Sequence, residues 1–155
     1  MGGGCAELDH PADLWLEIWA EDLPRLFENA LYAFYRQLVE VETVEPRTEL
    51  TLQVAADSVE TTLRVLLAEA LFRFETEGFL AAGGVVTVAT GSKATPDGPP
   101  SPDPTRVGVT ARLAGETADE ARHTLLTEIK AVTYHGLTAV HTREGPWRAT
   151  VLFDV

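Results

Sequence analysis

The sequence predicts an α+β fold: a single compact domain in which two helices pack on a largely antiparallel β-sheet as a two-layer sandwich. Two long stretches of helical periodicity lie in the first half of the chain, and short runs of period-two alternation dominate the second half. That segregation favours helices gathered on one face of an antiparallel sheet over a βαβ succession. A chain of 155 residues that is 45% hydrophobic and 23% charged is long enough to bury one core, so residues 1–155 are expected to form one domain.

The first strand is expected at 14–20, LWLEIWA, where Leu14, Leu16 and Ile18 alternate with Trp15, Glu17 and Trp19. Asp22 then reads as a helix N-cap, with Pro24 in the first turn, where its missing N–H does no harm. Leu23, Leu26, Phe27, Ala30, Leu31, Phe34 and Leu38 follow on one helical stripe. Alternation returns in TELTLQVAA (48–56). Asp57 or Ser58 can cap a second helix with an apolar face of Val59, Leu63, Leu66, Leu67, Ala70, Leu71 and Phe74, and Gly78 is placed to end it.

Strand signals recur at 85–90 and 106–115, and a closing hairpin is expected from 128–142, a turn near 143–146, and 147–155. Between the middle pair lies GSKATPDGPPSPDP (91–104), holding five of the nine prolines and expected to be a surface loop.

Composition restricts the function. A formal charge of −12 repels phosphates over most of the surface, so no strong direct nucleic-acid binding is expected; cations and basic protein surfaces are the natural partners. Cys5 is the only cysteine, which excludes an intrachain disulfide and cysteine-based zinc ligation. No apolar run approaches the roughly 20 residues that span a bilayer. MGGGCAELDH lacks a signal peptide's basic and apolar regions, so the expectation is a cytoplasmic protein without membrane attachment.

Three polar constellations stand out. ELDHPAD (7–13) places Asp9, His10 and Asp13 just before a strand; by itself it reads most simply as a turn. ARHTLLTEIKAVTYH (121–135) carries Lys130 and His135 in an otherwise core-like run, where a lysine can snorkel and a histidine can close a sheet edge. The third is LFDV, which sets Asp154 beside Val155. A hairpin turning near residue 144 would put Asp154 opposite His135, give or take two residues, pointing away from the face of Val151 and Phe153.

DHPAD, LPRLFENALYAFY, RHTLLTEIKAVTYHGL and the terminal FDV together resemble the archease family, over essentially the whole chain from Cys5 to Val155 apart from the proline-rich loop. The resemblance implies a small protein without catalytic activity of its own. Its partner would be an RtcB-type RNA ligase, which it helps through guanylylation and repeated turnover in tRNA splicing and RNA repair. It also implies a metal site, usually described as binding calcium, at Asp13, Asp154 and Val155, with Lys130 as a further residue needed for ligase activation. His10 and His135 are possible supporting residues; His135 either orients Asp154 or closes the sheet.

Physical chemistry is compatible with that set. Ca²⁺ takes about six to eight oxygen ligands, so these three residues would leave positions for water or a partner's groups. Clustered carboxylates repel one another until a cation or an ammonium such as that of Lys130 relieves them. The chain departs from the family pattern at Pro11, where Thr is commoner, and at Trp15, where a small residue is usual. Trp15 and Trp19 share a strand face with Asp13 and either pack beneath a loop or form a docking patch. Two other function classes remain open from sequence: a metal-dependent phosphoester hydrolase using Asp13, Asp154 and His10 or His135, and a chaperone-like binding module.

Overall fold

The computed structural model describes residues 4–8, 13–93, 101–143 and 145–155. Its elements run β1 (Gly4–Leu8), β2 (Asp13–Ala20), α1 (Leu23–Leu38), β3 (Thr48–Ala56), α2 (Val59–Glu77), β4 (Phe79–Lys93), β5 (Ser101–Thr117), β6 (Ala131–Val132), β7 (Thr138–His141) and β8 (Trp147–Asp154). Every strand pairing among the described residues is antiparallel. The strands form two sheets, one ordered β1-β2-β8-β6 with β7 also on β8, the other ordered β3-β5-β4. This is the expected α+β arrangement, with the sheet divided in two.

Alternation in β2 sorts its side chains cleanly. Leu14, Leu16, Ile18 and Ala20 are buried, whereas Asp13, Trp15, Glu17 and Trp19 are half-exposed on the other face. A fully buried aliphatic side chain contributes roughly 1.5–3 kcal/mol, so this parity fixes which face meets the core. Asp22 caps α1 by accepting the Arg25 N–H at 2.9 Å, and Pro24 lies in the first turn. Leu26, Phe27, Ala30, Leu31, Phe34 and Leu38 go into the core as their stripe requires. Ser58, not Asp57, caps α2, accepting from the Thr61 N–H at 3.1 Å. Gly78 ends that helix at φ 69°, in the left-handed region that favours glycine, with its N–H returning to the Phe74 carbonyl. α1 packs on β2 and β4, and α2 packs mainly on β3 and β5.

Three expectations need correction. Gly4–Leu8 is a strand paired with β2, which GCAEL does not announce because it lacks alternating apolar residues. The loop expected at 91–104 is shorter at both ends: β4 continues to Lys93 and β5 begins at Ser101, while 94–100 lie outside the described residues. The register slips by three residues between Thr90↔Val107 and Gly91↔Asp103, so Pro104 falls within the irregularity, where no ladder N–H is needed. Finally, the strand expected over 128–142 is broken into β6 and β7 by a turn at 134–137, where Gly136 has φ 66°. No helix of the described residues is long and apolar enough to cross a membrane.

Candidate functional site

Asp13 and Asp154 are direct partners across the β2–β8 ladder. Directly opposed residues of an antiparallel pair project to the same side of the sheet, and like charges so placed repel. Asp154 is exposed and Asp13 half-exposed, so both carboxylates sit where solvent, a cation or a partner can reach them. Val155 follows immediately and is half-exposed.

The other side of β8 is occupied by β6. Asp154 pairs there with Ala131, its carbonyl accepts the Lys130 N–H at 2.7 Å, and the Leu152 carbonyl accepts the Thr133 N–H at 2.9 Å. Asp154 therefore stands between Asp13 and the Lys130–Ala131 step. The ammonium of Lys130 is exposed and takes no part in the ion pairs of the described residues.

The expected partnership of Asp154 with His135 does not form. β7 pairs with β8 as Thr138↔Thr150, but the turn at 134–137 takes up three residues, so β6 meets β8 as Ala131↔Asp154. His135 instead lies edge-on to Trp15, with ring centroids 6.0 Å apart, and no hydrogen bond joins it to Asp154 among the described residues. Gly136 presses on the Trp15 ring so closely that a Cβ there would overlap it. Trp15 thus packs against this turn, while Trp19 lies against Gly4 of β1. Both tryptophans touch a neighbouring chain segment while remaining half-exposed. Asp9 and His10 lie outside the described residues.

Two features were not read from the sequence. Arg64 of α2 holds the segment after β6: its Nε donates to the Val132 carbonyl at 3.1 Å, and its guanidinium lies 3.9 Å over the Tyr134 ring. An arginine interrupting the apolar run at 63–68 of α2 was the available signal. The second is a buried polar cluster where the chain leaves β5. The Glu116 carboxylate accepts from Arg122, from the Glu45 N–H at 2.6 Å and from His123 Nε2 at 3.2 Å. The Asp119 N–H donates to His123 Nδ1, so Nε2 carries the ring proton and donates to Glu116. Hydrogen bonding from Arg122 first, then from the Glu45 N–H, pulls the Glu116 carboxyl down to about 2, against the opposing effect of desolvation. This cluster and the bonds from Leu126 and Thr127 to the carbonyls at the end of α1 hold the extended connector that leads to Lys130.

The described residues contain no group of three or more His, Cys, Asp or Glu side chains placed to hold a metal. Asp13 and Asp154 bring two carboxylates, hard oxygen donors, to one side of the sheet, and Val155 is the next residue in the chain. That donor set fits a calcium-like cation whose remaining ligands come from elsewhere, and it does not fit a closed structural site.

The family model described as Archease protein family (MTH1598/TM1083) matches residues 6–155. Protein archease of Methanopyrus kandleri is 29% identical over 149 residues, covering 96% of this chain and 97% of the relative. Protein archease of Archaeoglobus fulgidus is 32% identical over 148 residues, 96% of each. The archease-like protein of Dictyostelium discoideum is 32% identical over 130 residues, 82% of this chain and 78% of its own length. The solution structure of Methanobacterium thermoautotrophicum protein 1598 matches with a TM-score of 0.76 at 24% identity, covering 98% of this chain and 99% of that one, a likeness of fold.

Proposed function

This chain belongs to the archease family, and from that membership we propose that it is a non-catalytic accessory protein of an RtcB-type RNA ligase. It promotes guanylylation and repeated turnover of the ligase in tRNA splicing or RNA repair. The observation that carries the reading is the direct opposition of Asp13 and Asp154 across the β2–β8 ladder. Two carboxylates held face to face at an accessible edge are disfavoured unless something positive lies between or beside them.

Calcium or another divalent cation is the group we assign to that edge, held by Asp13, Asp154 and an oxygen of Val155. Bound there, it would neutralise the two acids and present unfilled coordination positions to a partner's oxygen ligands. The chain's own part is positional. β2 fixes Asp13, β8 fixes Asp154, and the Lys130 N–H bonded to the Asp154 carbonyl keeps the main chain of Lys130 at the same edge. The ammonium of Lys130 is free to meet the ligase or an anion bound to it.

The test is guanylylation and multiple turnover of the cognate ligase with and without this protein across a calcium titration. Stimulation that rises with calcium and disappears in both Asp13→Ala and Asp154→Ala supports the assignment. Full stimulation by both variants refutes the site. Metal-dependent phosphoester cleavage by the isolated protein would replace the accessory role with a hydrolase.

A further inference from the structure

The outer edge of a sheet offers unpaired N–H and C=O groups to any other strand, so edge strands are ordinarily short, bulged or covered. Most edges of this fold follow that rule. β1, β6 and β7 are five, two and four residues long. β4 is long, but its register breaks twice, and the Glu28 carboxylate of α1 accepts its Val86 N–H at 3.1 Å. β3 is the exception. It runs nine residues from Thr48 to Ala56, and its register with β5 is unbroken. It holds no proline or lysine and a single charge, Glu49, and among the described residues no strand pairs with its outer edge.

The neighbouring helix repeats the signal. α1 packs on β4 and α2 on β3, so α2 is the helix nearer the free edge. Turned away from its buried Leu63, Leu66, Leu67 and Ala70, α2 carries Val65, Ala68 and Phe72 on one stripe. Phe72 is 54% exposed, where a helix side left to water ordinarily carries polar residues.

A free strand edge takes a strand, and β3 fits its own copy. Antiparallel pairing about a two-fold axis at Leu52 sets Leu52 against Leu52 and Leu50 against Val54, all on the helix-facing side. Thr51 meets Gln53 on the other side, and Arg47 meets Asp57 at both ends. Arg47 already holds Glu45, but its side chain is 59% exposed and a guanidinium has donors to spare. Moving the axis by one residue spoils the match. At Thr51 it opposes Glu45 to Asp57, and at Gln53 it opposes Glu49 to Asp57. In a chain of net charge −12 a second copy settles where acids do not face acids, which selects the Leu52 register.

The same axis brings the helices together. A helix seated over β3 and β5 lies about one strand spacing, roughly 4.8 Å, from that axis. Its mate is then about 10 Å away, an ordinary distance for packed helices, which would cover the Val65–Phe72 stripe. We propose that β3 and the outer side of α2 form a self-association surface, on which a second copy of this chain extends the β3-β5-β4 sheet across a two-fold axis.

The surface lies outside the Asp13–Asp154 edge, and its test needs no ligase. Sedimentation velocity of the full chain over a concentration series, at about 0.15 M salt, should show a monomer–dimer equilibrium. Asp57→Lys sets like charges together at Arg47 and should raise the dissociation constant about tenfold. Phe72→Glu puts a charge into the stripe and should raise it by about as much again. Both positions are exposed, so both variants should keep the circular dichroism of the parent. Hydrogen exchange locates the contact: alternate β3 amides should be protected in concentrated protein and exchange freely in dilute protein. A chain that stays monomeric at every concentration would overturn the proposal. So would a dimer that both variants leave intact, or one whose β3 amides exchange equally at high and low concentration.

Discussion

The main-chain N–H of Lys130 donates to the carbonyl of Asp154 at 2.7 Å, while the lysine's ammonium stays exposed. Backbone and side chain are thereby separable. Lys130→Ala keeps the hydrogen bond that joins the connector to β8, and an exposed side chain removed from such a position changes stability by no more than about 0.5 kcal/mol. The variant should therefore denature at the urea concentration of the parent and fail to stimulate the ligase. Loss of both together would show that the residue acts through the fold.

Asp154→Asn separates repulsion from cation binding. Without metal the substitution relieves a like-charge pair, so stability in chelator should hold or rise by ~0.2–1 kcal/mol. With calcium the parent should gain stability by mass action, since a cation held by the native edge alone favours the folded state. The variant should gain much less. Melting temperatures in chelator and across a calcium series measure both effects; equal calcium shifts in parent and variant would remove Asp154 from the site.

Much of this architecture is readable in the sequence where local chemistry and tertiary demand coincide. Asp22 and Gly78 mark helix ends because a cap's side chain, or its lack of one, satisfies orphan backbone groups whatever packs nearby. The meeting of Asp13 with Asp154 was anticipated only through the family resemblance, since no local pattern pairs two strands so far apart in the chain. The register near His135 was misplaced for a definite reason. Gly136 looked like a residue within one long strand, whereas its left-handed conformation marks a turn that shifts the following pairing by three residues. Glu116, His123 and Arg64 escaped notice because a buried carboxylate or a half-buried guanidinium looks like any surface charge until its partners, dozens of residues away in some cases, are placed beside it.

The Glu116 cluster makes the fold sensitive to acid. Its carboxyl titrates at about 2 in the folded chain against an ordinary 4.5, because Arg122 and the Glu45 N–H favour the charged form. A folded-state value below the unfolded one means the unfolded chain takes up the proton first. The stabilisation is complete above about 4.5 and is lost as pH falls to about 2. Glu116→Gln should be less stable than the parent at neutral pH, and that gap should close through this window. Urea midpoints measured from pH 7 to pH 2 test it; a gap that stays constant would mean the carboxylate's charge is not what the cluster uses.

Gly136 and Trp15 should be energetically coupled. The turn that carries Gly136 at φ 66° also lays that residue on the Trp15 ring, with no room for a Cβ. Gly136→Ala therefore meets two penalties: about 1–2 kcal/mol for an L-residue in the left-handed region, and roughly 1–3 kcal/mol for overpacking against the indole. Trp15→Ala removes the second penalty and leaves the first. In a double-mutant cycle the alanine at 136 should accordingly cost less in the Trp15→Ala background, by ~1 kcal/mol or more. The same turn sets the β6 register that places Lys130 beside Asp154. Gly136→Ala should thus lower ligase stimulation more than its stability loss explains, and Trp15→Ala should restore part of it. Additive stabilities in the cycle would show that the ring does not constrain the turn.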